Sequence, residues 1–86
     1  MKSRARFLYH ATSHENVRSI LSSGLRAKHS IIYCSEKPDS WRTSETAILQ
    51  VDIRELDHVK MTRFDEELDE ILIWAESIDA ALISLC

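Results

Sequence analysis

The chain has 86 residues, a formal net charge of −3, one glycine, one proline and two cysteines. That length fits one domain spanning residues 1–86, with a single core that buries only roughly 60% of the surface its unfolded form exposes. The mildly acidic balance argues against affinity built on phosphate contacts, and the ordinary apolar content argues against disorder. Basic residues gather at Lys2, Arg4 and Arg6 and read as a solvated end. Cys34 and Cys86 form no Cys-x-x-Cys pair, so both read as structural thiols in a reducing cytoplasm. No apolar run approaches the ~20 residues of a spanning helix, and the N-terminus lacks the apolar stretch of a signal peptide, so a cytoplasmic chain without membrane contact is expected.

Arg6 to His10 is rich in aromatics and reads as a first strand. Thr12-Ser13-His14-Glu15 fits a capping box, with Thr12 as N-cap and Glu15 reaching back. Val17, Ile20 and Leu21 then fall at helical spacing, which predicts one apolar stripe, and Gly24 predicts a left-handed C-terminal cap. Ile31 to Cys34 is β-prone, and Ser35 to Pro38 reads as a turn. Pro38 suits the first position of a short helix through Trp41 and Arg42. Ala47 to Ile53 alternates with Leu49, Val51 and Ile53 on one face and reads as a strand. A further short strand is expected within Leu56 to Thr62, with Val59 and Met61 on one side.

Arg63 to Trp74 admits two readings. Phe64, Leu68, Ile71, Leu72 and Ala75 match a helical stripe, whereas Ile71 to Trp74 alone matches a buried strand, and periodicity cannot settle so short a run. The favoured reading is an acidic loop or turn of helix through Asp69, then a strand. Ser77 to Asp79 reads as a turn and Ala81 to Cys86 as a terminal strand. The sum is an α+β fold: a small split, largely antiparallel sheet with one clear helix and one short helix.

Three blocks of this sequence together resemble the ADP-ribosyltransferase superfamily, in the His-Tyr-Glu branch that includes the poly(ADP-ribose) polymerases and diphtheria toxin. Leu8-Tyr9-His10-Ala11-Thr12, leading through Asn16, Ile20 and Leu21 to Gly24-Leu25-Arg26, is similar to the first block. Ile31-Ile32-Tyr33-Cys34-Ser35, with Ser40-Trp41 following, is similar to the second. Glu70-Ile71-Leu72-Ile73-Trp74 is similar to the third. The blocks run from Leu8 to about Ile78. The residue after the histidine is Ala11, where the family often has glycine, and the chain is shorter than typical members, which implies clipped loops.

The resemblance implies NAD as substrate and a site built on His10, Tyr33 and Glu70. Breaking the bond between ribose and nicotinamide passes through an oxocarbenium-like transition state, as in glycoside hydrolysis, and Glu70 would stabilise that charge. His10 would hold a ribose hydroxyl, which is positioning and not proton transfer. Tyr33 would stack on the nicotinamide ring. The main chain of Ala11 would meet the nicotinamide carboxamide, with Thr12 beside it. Ser40 would add a hydroxyl contact, and Trp41 would close the side of the pocket. Read without the resemblance, Glu70 is one of the acidic run Asp65-Glu66-Glu67-Asp69-Glu70, and His10 and Tyr33 are a surface histidine and a core tyrosine. His14, His29 and His58 read as solvent-facing, and no metal-ligand spacing is present, so no metal is expected.

Four functions remain open on the sequence. The first is an ADP-ribosyltransferase acting on a macromolecular acceptor, a protein more than a nucleic acid, as a toxin, an effector or a phage anti-defence protein. The second is a module that binds NAD or an ADP-ribose derivative without transfer, which the short length favours. The third is an RNA 2′-phosphotransferase, which shares the fold but resembles a more basic, arginine-lined site. The fourth is a small interaction domain without chemistry.

Overall fold

The computed structural model describes residues 6–56 and 58–86. Among them run eight strands: β1 (Phe7–Ser13), β2 (Leu25–Arg26), β3 (Ile32–Cys34), β4 (Thr46–Asp52), β5 (Lys60–Asp65), β6 (Glu70–Trp74), β7 (Ser77–Ile78) and β8 (Ile83–Leu85). One α-helix, α1 (Val17–Ser23), and two 3-10 turns, His14–Asn16 and Ala80–Leu82, complete the regular structure. The strands form three antiparallel sheets, in the orders β1-β4-β8, β2-β7 and β3-β6-β5. The result is a small α+β fold.

Among the described residues the two three-stranded sheets are joined by one isolated backbone bridge. Tyr9 and Ser35 exchange two backbone hydrogen bonds, of 2.9 and 2.8 Å, which set β1 beside β3. Alternation along the strands then decides what is buried, because successive side chains point to opposite faces. Leu8, Leu49 and Val51 of one sheet and Ile32, Cys34, Ile71 and Ile73 of the other supply most of a shared core. Leu25 and Ile78 join it from the two-stranded sheet, and Val17 and Ile20 of α1 pack against it.

Several expectations are corrected. Thr12 does not cap a helix: β1 runs on to Ser13, which pairs with Thr46, so Thr12 is still in the ladder, paired with Ala47. The expected capping box is therefore absent, and the Asn16 amide bonds Ser13 Oγ at 2.9 Å instead. Leu21 is 36% exposed and stands outside the apolar stripe formed by Val17 and Ile20. The short helix from Pro38 to Arg42 is a run of turns, closed by Ser40 N–H to Lys37 C=O and Arg42 N–H to Asp39 C=O. Asp69, in the β5–β6 hairpin, accepts from the N–H groups of Glu36 and Lys37 just before this segment and from the Ser40 hydroxyl within it. The strand expected within Leu56 to Thr62 begins only at Lys60; Asp57 lies outside the described residues. Ser77 and Ile78 pair with Arg26 and Leu25 as β7, where a turn was expected. The terminal strand is shortened by the turn at Ala80–Leu82, which Asp79 caps by accepting from Ala81 N–H.

The two readings of Arg63 to Trp74 resolve in favour of the strand. Arg63 to Asp65 end β5, a tight turn follows, and β6 pairs with β5 on one side and β3 on the other. Asp65 closes the turn by accepting from the N–H groups of Glu67 and Leu68, at 2.9 and 3.1 Å, a side-chain substitute for a backbone turn bond. Gly24 does end α1, its N–H donating to Ile20 C=O at 2.8 Å. Its conformation, φ 91° and ψ 173°, is not the left-handed helical one expected but an extended region open almost only to glycine.

Candidate functional site

β1 meets the β3 segment in one backbone bridge among the described residues, Tyr9–Ser35, and one position further along β1 the ring of His10 stands beside the chain of Tyr33. Its Nδ1 lies 2.8 Å from the Tyr33 carbonyl. A carbonyl only accepts, so Nδ1 carries the hydrogen. Burial holds the ring below the ordinary histidine range, outweighing the opposing effect of that bond. A neutral ring that donates through Nδ1 leaves Nε2 as an acceptor. The side chain thus satisfies a carbonyl and also keeps a fixed tautomer.

Two cavities adjoin this ring. The first, of about 460 Å³, is lined by Tyr9, His10, Ala11, Tyr33, Cys34, Trp41, Thr43, Thr46 and Glu70. The second, of about 430 Å³, lies between α1 and the β2–β3 region and includes His10, Thr12, Asn16, Ser19, Arg26, Lys28 and Tyr33 in its wall. Both fall within the range of small-molecule sites. His10 and Tyr33 belong to both.

The fold thus brings His10, Ala11, Tyr33, Trp41 and Glu70 to one cleft although they come from three distant segments. Tyr33 is 51% exposed, because on β3 the alternation buries Ile32 and Cys34 and turns Tyr33 to the other face. Glu70 opens β6 and is half-buried. Thr12 lines the second cavity and not the first.

Ser40 stands apart from both cavities. Its hydroxyl bonds the Asp69 carboxylate, so the expected contact with a ligand carboxamide has no support in its position. The same carboxylate accepts from the backbone N–H groups of Glu36 and Lys37, each at 3.0 Å, and from Arg63 Nη1 at 3.4 Å. Arg63 also pairs with Glu36. The Asp69 carbonyl receives the indole N–H of Trp41 at 3.3 Å.

Asp69 and the cationic pair Arg26 and Lys28 are what sequence reasoning missed. Asp69 was hidden in an acidic run, and its only sequence signal is its place immediately before Glu70. Arg26 and Lys28 are separated from the other basic residues and join the site only through the β2–β3 geometry. Cys34 lines the first cavity, yet burial pushes its thiol up to about 12, so it has little thiolate at neutral pH. Among the described residues no three His, Cys, Asp or Glu side chains gather as a metal site, and no helix is long and apolar enough to cross a membrane. No protein-family model and no curated protein matches the chain.

Proposed function

We propose that the chain is a miniature ADP-ribosyltransferase of the His-Tyr-Glu type, which binds NAD across the two adjoining cavities and transfers ADP-ribose to a macromolecular acceptor. The observation that carries the reading is the meeting of His10, Tyr33 and Glu70, from β1, β3 and β6, in the wall of one cleft. The division of the strands into separate sheets, bridged between β1 and β3 by one isolated backbone pair among the described residues, agrees with the split sheet of that superfamily.

Each residue has a role its chemistry allows. The His10 acceptor nitrogen takes a hydrogen bond from a ribose hydroxyl and orients the sugar. The exposed face of Tyr33 stacks on the nicotinamide, worth about 0.5–1.5 kcal/mol beyond burial. As the bond from the ribose carbon to the nicotinamide nitrogen breaks, its electron pair leaves with the nicotinamide and positive charge grows on the ribose. The Glu70 carboxylate stabilises that charge and accepts a proton from the incoming acceptor group. Arg26 and Lys28, in the second cavity, oppose the negative charge of the pyrophosphate.

Thermal denaturation with added nucleotide tests binding. NAD at 100 times its dissociation constant should stabilise the chain by about 2.7 kcal/mol. Tyr33→Ala should reduce the melting shift for NAD more than for ADP-ribose, which lacks the nicotinamide ring. No shift with either ligand at millimolar concentration would favour an interaction domain without chemistry. A shift with both ligands but no transfer would favour the binding module.

A further inference from the structure

We infer that Asp69 is the positioning residue of the cleft: its carboxylate holds the segment carrying Trp41 against the hairpin carrying Glu70. The inference rests on the reading of this cleft as the NAD site, and its structural half can be tested without a ligand.

The segment from Glu36 to Arg42 has no strand partner and forms only irregular turns. Ser35 Oγ donates to the Lys37 carbonyl and Thr46 Oγ1 to the Trp41 carbonyl, and most of the remaining ties run to one side chain. Asp69 accepts from two successive backbone N–H groups, those of Glu36 and Lys37, one to each carboxylate oxygen, and from the Ser40 hydroxyl. Arg63 approaches the same carboxylate from β5 and pairs with Glu36, which ties the segment to the hairpin a second time. The Asp69 main chain adds the acceptor for Trp41 Nε1. One residue therefore holds both the start of the segment that carries Trp41 and, through its main chain, the indole itself.

Its neighbour in sequence is Glu70, and its own backbone has φ 51°. That left-handed conformation is disfavoured for most side chains and tolerated by Asp and Asn. It turns the chain from the hairpin loop into β6, so the same residue that clamps Trp41 also fixes where β6 begins. Of the groups that bond Asp69, none lines the cleft except Trp41. Asp69 acts on the site through Trp41 and Glu70 and touches no ligand.

Substitution separates backbone from carboxylate. Asp69→Gly keeps the positive φ at no steric penalty and removes only the side chain, whereas Asp69→Asn keeps the conformation and one acceptor oxygen. Both are made in a Trp74→Phe background, so that Trp41 is the sole indole. Asp69→Gly should shift Trp41 emission to the red and raise its acrylamide quenching about threefold as the wall opens to water, with the β-sheet circular dichroism retained. Asp69→Asn should fall between Asp69→Gly and the parent. NAD affinity should drop about tenfold in Asp69→Gly, while ADP-ribose affinity changes less than threefold, because Trp41 lines the cleft that holds the nicotinamide end. Unchanged emission and quenching in Asp69→Gly would overturn the inference, as would equal losses of NAD and ADP-ribose affinity. If the parent binds neither nucleotide, the NAD reading falls and the Trp41 measurements alone decide the role of Asp69. Should Asp69→Gly fail to fold, the same emission and quenching comparison is read from Asp69→Asn, for which no change overturns the inference.

Discussion

At His10 two effects oppose each other. Burial disfavours the charged ring, and the hydrogen bond to the Tyr33 carbonyl favours it, with burial the larger. The folded chain therefore resists a proton that the unfolded chain takes up below about pH 6.5. Where the unfolded state binds more protons, stability rises with pH, so acidification from pH 7 to pH 5 should weaken the fold through this residue. His10→Gln can still donate an amide hydrogen to the carbonyl but does not titrate. Denaturant unfolding at several pH values should show a flatter dependence between pH 7 and 5 in the variant, and parallel curves would contradict the assignment. The sequence pointed to His10 by its place in a family-like block, but not to its partner. A contact with a carbonyl 23 residues away depends on how two sheets meet, and no local pattern records that.

At the scale of elements, the join between α1 and β2 leaves no room for a side chain. A Cβ at Gly24 would lie 2.5 Å from the Ile78 carbonyl and 3.2 Å from Ala80 N, both main-chain atoms that cannot swing aside. Its φ of 91° adds backbone strain for any other residue. Gly24→Ala should therefore destabilise by roughly 2–4 kcal/mol, lowering the melting temperature well beyond the few degrees of an ordinary surface change. A melting temperature within two or three degrees of wild type would show that β7 moves away freely. Helix α1, its ending at Gly24 and the apolar strand at Ala47 to Ile53 were legible because each carries its own local signal. The capping box at Thr12 and the helix at Pro38 were misread because tertiary pairing overrode local preference. β1 gained more by continuing its ladder with β4 to Ser13 than by ending at Thr12. The Pro38 segment is held from the hairpin instead, through the N–H groups of Glu36 and Lys37 before it and the Ser40 hydroxyl within it. Arg63 to Trp74 was ambiguous for a different reason: the helical stripe and the strand run share Ile71 and Leu72, and only pairing on both edges of β6 separates the two.

Across the whole molecule, one small core supports both the fold and the cleft. Leu8, Ile71 and Ile73 are fully buried on β1 and β6, two of the strands that present His10 and Glu70. The spacing between His10 and Glu70 is thus set by core packing beneath their strands, a suitable basis for a preorganised electrostatic site. The central claim is that Glu70 acts on charge developing on the ribose. A group of that kind contributes to rate more than to ground-state binding. Glu70→Gln keeps size and hydrogen bonding and removes the charge. The most direct measurement is nicotinamide release from NAD by wild type and Glu70→Gln, beside the NAD-induced melting shift of each. Release should fall at least about 100-fold in the variant while the melting shift is retained. Equal release from the two proteins would contradict the account.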